Sequence, residues 1–174
     1  MDGYHLSRAQ LCALPNAAEA LARRGAEFTF DGASFLSFVR AVRAQGPNSP
    51  TIYAPSFDHK LKDPKPNDIQ VLASTKVVLF EGNYLSLDRA PWKEAAELMD
   101  ELWYVDVEFE TAKRRLVERH IRAGITLNRE AAAKRVEEND LPNGKEIVRH
   151  RIKEVDEVIV SRDDDTWKPE ACGK

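Results

Sequence analysis

Arg115, Arg119 and Arg122 recur at i, i+4 and i+7 in a stretch with helical periodicity, so they share one face. Guanidinium groups along one face suit polyphosphate, because each planar fork can chelate anionic oxygens. The competing reading is a solvated basic face partly paired with Glu118. A second candidate is Glu81, which follows the apolar run Val77-Val78-Leu79-Phe80 and precedes Gly82. An unbroken run of this kind reads as a strand buried on both faces of a parallel sheet. Ligands of such sheets bind beyond the carboxyl ends of the strands, where Glu81 would sit, and Gly82 allows a sharp turn there. The plainer alternative is a buried strand ending in a solvated acid. Met1-Asp2-Gly3-Tyr4-His5 sets an acid beside two side chains able to hydrogen-bond. Finally, Ser56 to Pro66 is a polar excursion holding Asp58, His59 and Lys62. It is either a solvated loop or one of the ordered loops on which binding residues gather.

The elements that must position these residues follow from periodicity and punctuation. Ser7 to Leu14 is expected to form a short helix ended by Pro15, and Ala17 to Arg24 another stopped by Gly25. Phe35, Phe38, Val39 and Val42 define the buried face of a longer helix, with Asp31 as its N-cap. Strands are expected at Thr51–Ala54, Asp68–Leu72, Val77–Phe80, Leu102–Val107 and Glu157–Val160. Pro64 and Pro66 are expected to break regular structure between the first two. Helices are expected at Ala90–Met99, Phe109–Arg122, Glu130–Glu138 and Lys145–Ile152, with a turn at Asn139–Gly144. On the Phe109–Arg122 helix, Phe109, Ala112, Leu116 and His120 should face inward, His120 as a satisfied core histidine. Strand, helix, strand, helix pair, strand is the rhythm of a parallel α/β sheet.

Composition narrows the function class. A chain of 174 residues with net charge −3 fits one domain and has no global attraction to nucleic acid or anionic membrane. No apolar stretch approaches a membrane span, and the start is not a signal peptide. Cys12 and Cys172 suggest no disulfide framework, and the scattered histidines no structural zinc. A cytoplasmic enzyme or binding domain is expected.

The order of the segments resembles the phosphoribulokinase/uridine kinase family of P-loop kinases, over Met1 to about Val160. Met1-Asp2-Gly3-Tyr4-His5-Leu6 is similar to the family's acid-containing motif at the end of its second strand. Arg23 to Asp31 resembles the stretch leading into the next helix, and Tyr53 to Pro64 the substrate-side loop. Val77 to Asn83 resembles the Walker-B-like strand, and Arg115 to Arg122 with the following helix the lid. The resemblance implies an α/β P-loop kinase-like parallel sheet flanked by helices with a helical lid at about 115–144, in a single domain over 1–160 with a polar tail at 161–174.

It also implies ATP- and Mg²⁺-dependent phosphoryl transfer to a hydroxyl of a small molecule such as a nucleoside, a sugar or a pantothenate-like compound. Asp2 would be the general base. Glu81 would orient the water shell of Mg²⁺, and Arg115, Arg119 and Arg122 would neutralise the transferring phosphates. Tyr4, His5, Arg24, Asp58, His59 and Lys62 would bind substrate. Phosphoryl transfer depends on positioning and charge neutralisation more than on covalent chemistry, so these roles are physically coherent. A homo-oligomer is compatible with such a fold. One departure is large: no G-x-x-x-x-G-K-[ST] loop occurs in the sequence. In the family that loop precedes the motif matched at Asp2, so the expectation is an N-terminally truncated form. The chain would then be either a kinase whose start lies upstream or a non-catalytic remnant that binds without turnover.

Overall fold

The computed structural model describes residues 1–164. Its best-formed local unit is α3 (Gly32–Ala44), where Phe35, Leu36 and Val39 recur on one face and are buried. Asp31 caps it, its carboxylate accepting the Ser34 amide at 2.9 Å and the Ser34 hydroxyl at 2.6 Å. Arg43 lies in the last turn, where a cation suits the helix dipole. Upstream, α1 (Arg8–Cys12) opens with a Ser7/Gln10 capping box, and α2 (Ala17–Ala22) ends before Gly25, whose φ of +106° reverses the chain.

The buried face of α3 meets Tyr4, Phe30, Tyr84, Leu85, Leu87 and Trp92 in the main core. The rings mesh at their edges, with Tyr4 and Phe35 centroids 5.2 Å apart and Phe30 and Tyr84 5.4 Å apart. Trp92 opens the short α4 (Trp92–Ala96), is fully buried, and its indole N–H donates to Glu27 at 2.8 Å. Full burial of a ring such as Phe35 contributes about 1.5–3 kcal/mol, so this cluster is the main apolar source of stability among the described residues.

The two expected strands around the polar excursion form an antiparallel hairpin, β1 (Ile52–Asp58) with β2 (Asp63–Val71). The prolines do not break it. Pro64 sits opposite Phe57 within the ladder, and Pro66 falls in a bulge where Asn67 takes a left-handed conformation, φ +53°. A bulge leaves residues unpaired, so the missing proline N–H costs no ladder bond there.

A small parallel sheet forms elsewhere, β3 (Trp103–Asp106) against β4 (Glu157–Val160), with α5 (Phe109–Arg122) connecting onward from β3. The expectation for Val77–Phe80 is overturned. This segment has no strand partner among the described residues, and Val77 and Leu79 are 82% and 85% exposed. Burial on both faces needs a sheet with elements packed above and below it, and this segment is in no described sheet; Phe80 reaches the core, edge-on to Phe35 at 5.7 Å.

On α5 the buried side chains are Val117 and His120, with Leu116 partly covered, rather than the full stripe expected from Phe109 onward. Val117 packs with Ala132 of the next helix, α6 (Arg129–Arg135), and with Val136 just beyond it. The expected turn at Asn139–Gly144 is absent. A π turn at Val136–Asp140 carries α6 straight into α7 (Leu141–His150), and Pro142 is tolerated in the first turn of α7. His120 is a core histidine, its Nε2 2.6 Å from the Asp140 carboxylate.

Candidate active site

Backbone pairing assembles the site. The Asp2–Tyr4 turn is followed by a short antiparallel bridge in which Leu6 N–H donates to Thr29 at 2.9 Å and Asp31 N–H donates to Tyr4 at 2.7 Å. Asp31 is thereby drawn beside Tyr4. On one side the turn packs against β1 so closely that a Cβ on Gly3 would run into the Pro55 carbonyl. On the other side the Met1 amine donates to the Glu81 carbonyl, and Gly82 lies against the Met1 side chain. Asp2 and Glu81, both exposed, therefore sit on adjoining segments although 79 positions apart in sequence (81 − 2).

A cleft of about 470 Å³ opens beside this turn, walled by Tyr4, His5, Asp31, Phe38, Tyr53 and Asn67 among others. Its polar lining also includes Ser7, Gln10 and Ser34. His5 lies against Phe30 at 4.0 Å and Phe57 at 5.0 Å, with Nδ1 2.8 Å from the Asp2 carbonyl oxygen. Burial lowers the imidazole below its ordinary value of 6.5, and the Asp2 carbonyl only partly offsets this. Burial and the Asp31 carboxylate push the Tyr4 phenol upward, so it stays protonated at neutral pH.

The remaining expected substrate residues gather at the hairpin tip. Arg24 is held by three acceptors: the Asp63 carboxylate at 2.9 Å, the Leu6 carbonyl at 3.0 Å and the Lys62 carbonyl. Its guanidinium also faces the Phe57 ring. Lys62 takes part through its backbone, in the left-handed region at φ +57°. Asp58 accepts the amides of Lys60 at 2.8 Å and Leu61 at 3.0 Å, which holds its carboxyl below the usual carboxylate range. The side chain thus shapes the turn itself. His59 is exposed, its ring 5.3 Å from Phe57.

The arginines of α5 are not part of the cleft lining. Arg115 donates to Asp163 at 3.1 Å and to Ser161 at 2.8 Å, just beyond β4, and Arg114 joins the same carboxylate at 2.6 Å. Arg119 is exposed on the same helix face, and Arg122 lies one turn further on. A second hollow of about 520 Å³ lies between α5 and α6, with Lys113, Arg114 and Arg129 on its walls.

Sequence reasoning took Asp31 only as a cap and passed over Gln10, Ser34 and Asn67. Ser34 was legible as the third residue of a capped helix. Asn67 was legible as a residue after proline that tolerates positive φ. Their convergence was not, because it depends on the hairpin folding back over the Asp2 turn.

No family model matches the chain. Among curated relatives, an ATP-dependent kinase-like protein, notR′ of Aspergillus versicolor, is 50% identical over 153 residues, covering 87% of this chain and 89% of that one. A Schizosaccharomyces pombe protein with the provisional name of a uridine kinase is 41% identical over 82% of this chain and 60% of its own length. The crystal structure of YFH7 from Saccharomyces cerevisiae, described provisionally as a P-loop containing kinase with a circular permutation, superposes with a TM-score of 0.81 at 29% identity. That match covers 94% of this chain and 57% of YFH7. The chain therefore spans most of the Aspergillus relative and little more than half of the two yeast proteins. With half of its residues shared with an ATP-dependent kinase-like protein that it nearly spans, and with the fold of a P-loop kinase, the chain belongs to the family of that ATP-dependent kinase-like relative.

Proposed function

We propose that this chain carries the acceptor-binding and phosphate-clamping part of an ATP-dependent kinase that phosphorylates a hydroxyl of a small molecule. The observation that carries the reading is the Asp2–Tyr4 turn, which lines a cleft of about 470 Å³ through Gly3 and Tyr4 and is tied to Glu81 and Gly82 through Met1. Asp2, exposed and next in sequence to Gly3 of the cleft wall, takes the proton of the attacking hydroxyl. Tyr4 and His5 orient the acceptor, and Arg24, Asp58, His59 and Lys62 set the hairpin tip that borders it. Arg115, Arg119 and Arg122 lie on a helix face that suits a phosphate chain, with Arg115 exchanging Asp163 for phosphate oxygens.

The residues present fit a phosphate clamp and not the main phosphate cradle, since the sequence holds no Gly-Lys-Ser/Thr loop. The described residues gather no group of three or more metal-ligating side chains. Glu81 is thus suited to Mg²⁺ through water, the usual manner in which a hydrated ion is held by one carboxylate plus substrate phosphates. When bound, ATP and Mg²⁺ supply the transferable phosphoryl group and its charge neutralisation. No described helix is long and apolar enough to cross a membrane, and a cytoplasmic setting belongs to the same reading.

Asp2→Asn in the full-length gene product keeps the shape and removes the base. It is expected to retain acceptor binding and to lower kcat by about 10²–10⁴-fold. Unchanged turnover would remove Asp2 from the chemistry. A second reading, a binding module without catalysis, draws on the missing Gly-Lys-Ser/Thr loop. Its signature is acceptor binding by the full-length product with no acceptor-dependent ADP release.

A further inference from the structure

We infer that the cleft beside Tyr4 prefers an uncharged acceptor, and that its charge pattern discriminates against carboxylate- or phosphate-bearing ones. The inference rests on the kinase reading only in calling the ligand an acceptor. No lysine or arginine is among the residues lining the cleft, and its one formal charge is the carboxylate of Asp31. At the hairpin tip the Arg24 guanidinium is already committed. Arg24 gives its terminal nitrogens to Asp63, Leu6 and Lys62, and its side chain is only 16% exposed. Lys65 is likewise bound to Asp68. His5 is packed between Phe30 and Phe57, an environment that favours the neutral ring.

An anion entering this open cleft would face the Asp31 carboxylate and meet no guanidinium or ammonium group among the lining residues. Like charges at close range repel even where water partly screens them. The same lining is well matched to a neutral compound rich in hydroxyl or amide groups. Gln10, Ser34 and Asn67 supply uncharged donors and acceptors, and Phe38 and Tyr53 supply flat apolar surface. Selectivity then works by leaving the wrong ligand's charge without a partner.

The test uses matched pairs that keep the same hydroxyl and differ in one charge: uridine against uridine 3′-monophosphate, and panthenol against pantothenate. Binding to the full-length protein is measured by calorimetry, and turnover in parallel by ADP release. At least one neutral member is expected to bind ten-fold or more tightly than its anionic partner. Asp31→Asn should narrow that ratio, and because asparagine is as good an N-cap as aspartate, the fold should be kept. Tyr53→Arg, at a position 45% exposed, should raise the affinity of the anionic member. Neutral-selective binding without turnover upholds the inference and removes the kinase reading. Equal or tighter binding of the anionic members, or a ratio unmoved by Asp31→Asn, overturns the inference while leaving the kinase reading intact. Absence of binding by every compound overturns both.

Discussion

His5 shows how a single side chain's surroundings set its chemistry. Its ring is pressed between two phenylalanines, and desolvation outweighs the Asp2 carbonyl that would favour the cation. The folded-state value is thus depressed below the unfolded value of about 6.5. In the window between the two, the unfolded chain binds more protons, so stability rises with pH there. The contribution is fully present above about 6.5 and is lost as pH falls toward the folded value. An NMR titration of the His5 ring is expected to give a midpoint below 6.5, with stability declining over that window in the native chain and not in His5→Phe. A midpoint at or above the ordinary value would contradict the packing described. Arg24 makes a similar point: its guanidinium donates to Asp63 and to two backbone carbonyls, and these bonds hold the hairpin tip.

Two elements carry the cleft, the capped helix α3 and the β1–β2 hairpin, and each has a distinct weak point. Removal of the cap by Asp31→Ala leaves the Ser34 amide without its acceptor and is expected to cost about 1 kcal/mol in denaturant unfolding, whereas Asp31→Asn should be close to neutral. The hairpin is pinned to the body by the Arg24–Asp63 pair, whose side chains are 16% and 33% exposed. Arg24→Ala takes a donor from two carbonyls and from the Asp63 carboxylate, which keeps the Arg8 amide and is a third exposed, for an expected loss of about 1 kcal/mol. It should also raise hydrogen exchange at residues 58–63 while leaving α3 protected. Equal loss of protection across both elements would mean that the hairpin and α3 are one cooperative unit.

The molecule as a whole leaves apolar surface uncovered. Val77 and Leu79 are 82% and 85% exposed, and Trp103, Val105 and Val160 of the small parallel sheet are each more than half exposed. Exposed apolar side chains beside unpaired strand edges favour association. The 174-residue chain is expected to bind the dye ANS and to self-associate in light scattering. The double substitution Leu79→Lys and Val105→Lys should reduce both without lowering the unfolding midpoint, since neither side chain contributes to the core. A monodisperse monomer that ignores the dye would show that these surfaces are covered in solution.

The sequence by itself determined what is local. The bounds of α5, the cap of α3, the Phe35 and Val39 part of its buried face and the Gly25 stop all depend on residues within about one helical turn of each other, whereas Leu36 takes the buried place expected for Val42. Tertiary structure alone decided the rest. It turned the Val77–Phe80 run outward, since burial on two faces requires neighbours that a pattern cannot supply. It ran β2 through both prolines, since a bulge and the opposite strand decide whether a missing N–H matters. It joined α6 to α7 through a π turn where composition suggests a loop. It also gave Arg24 and Arg115 their partners, Asp63 and Asp163, across 39 and 48 residues of chain. Charge pairing at such separations follows from how the backbone is folded back, and spacing along the sequence carries no trace of it.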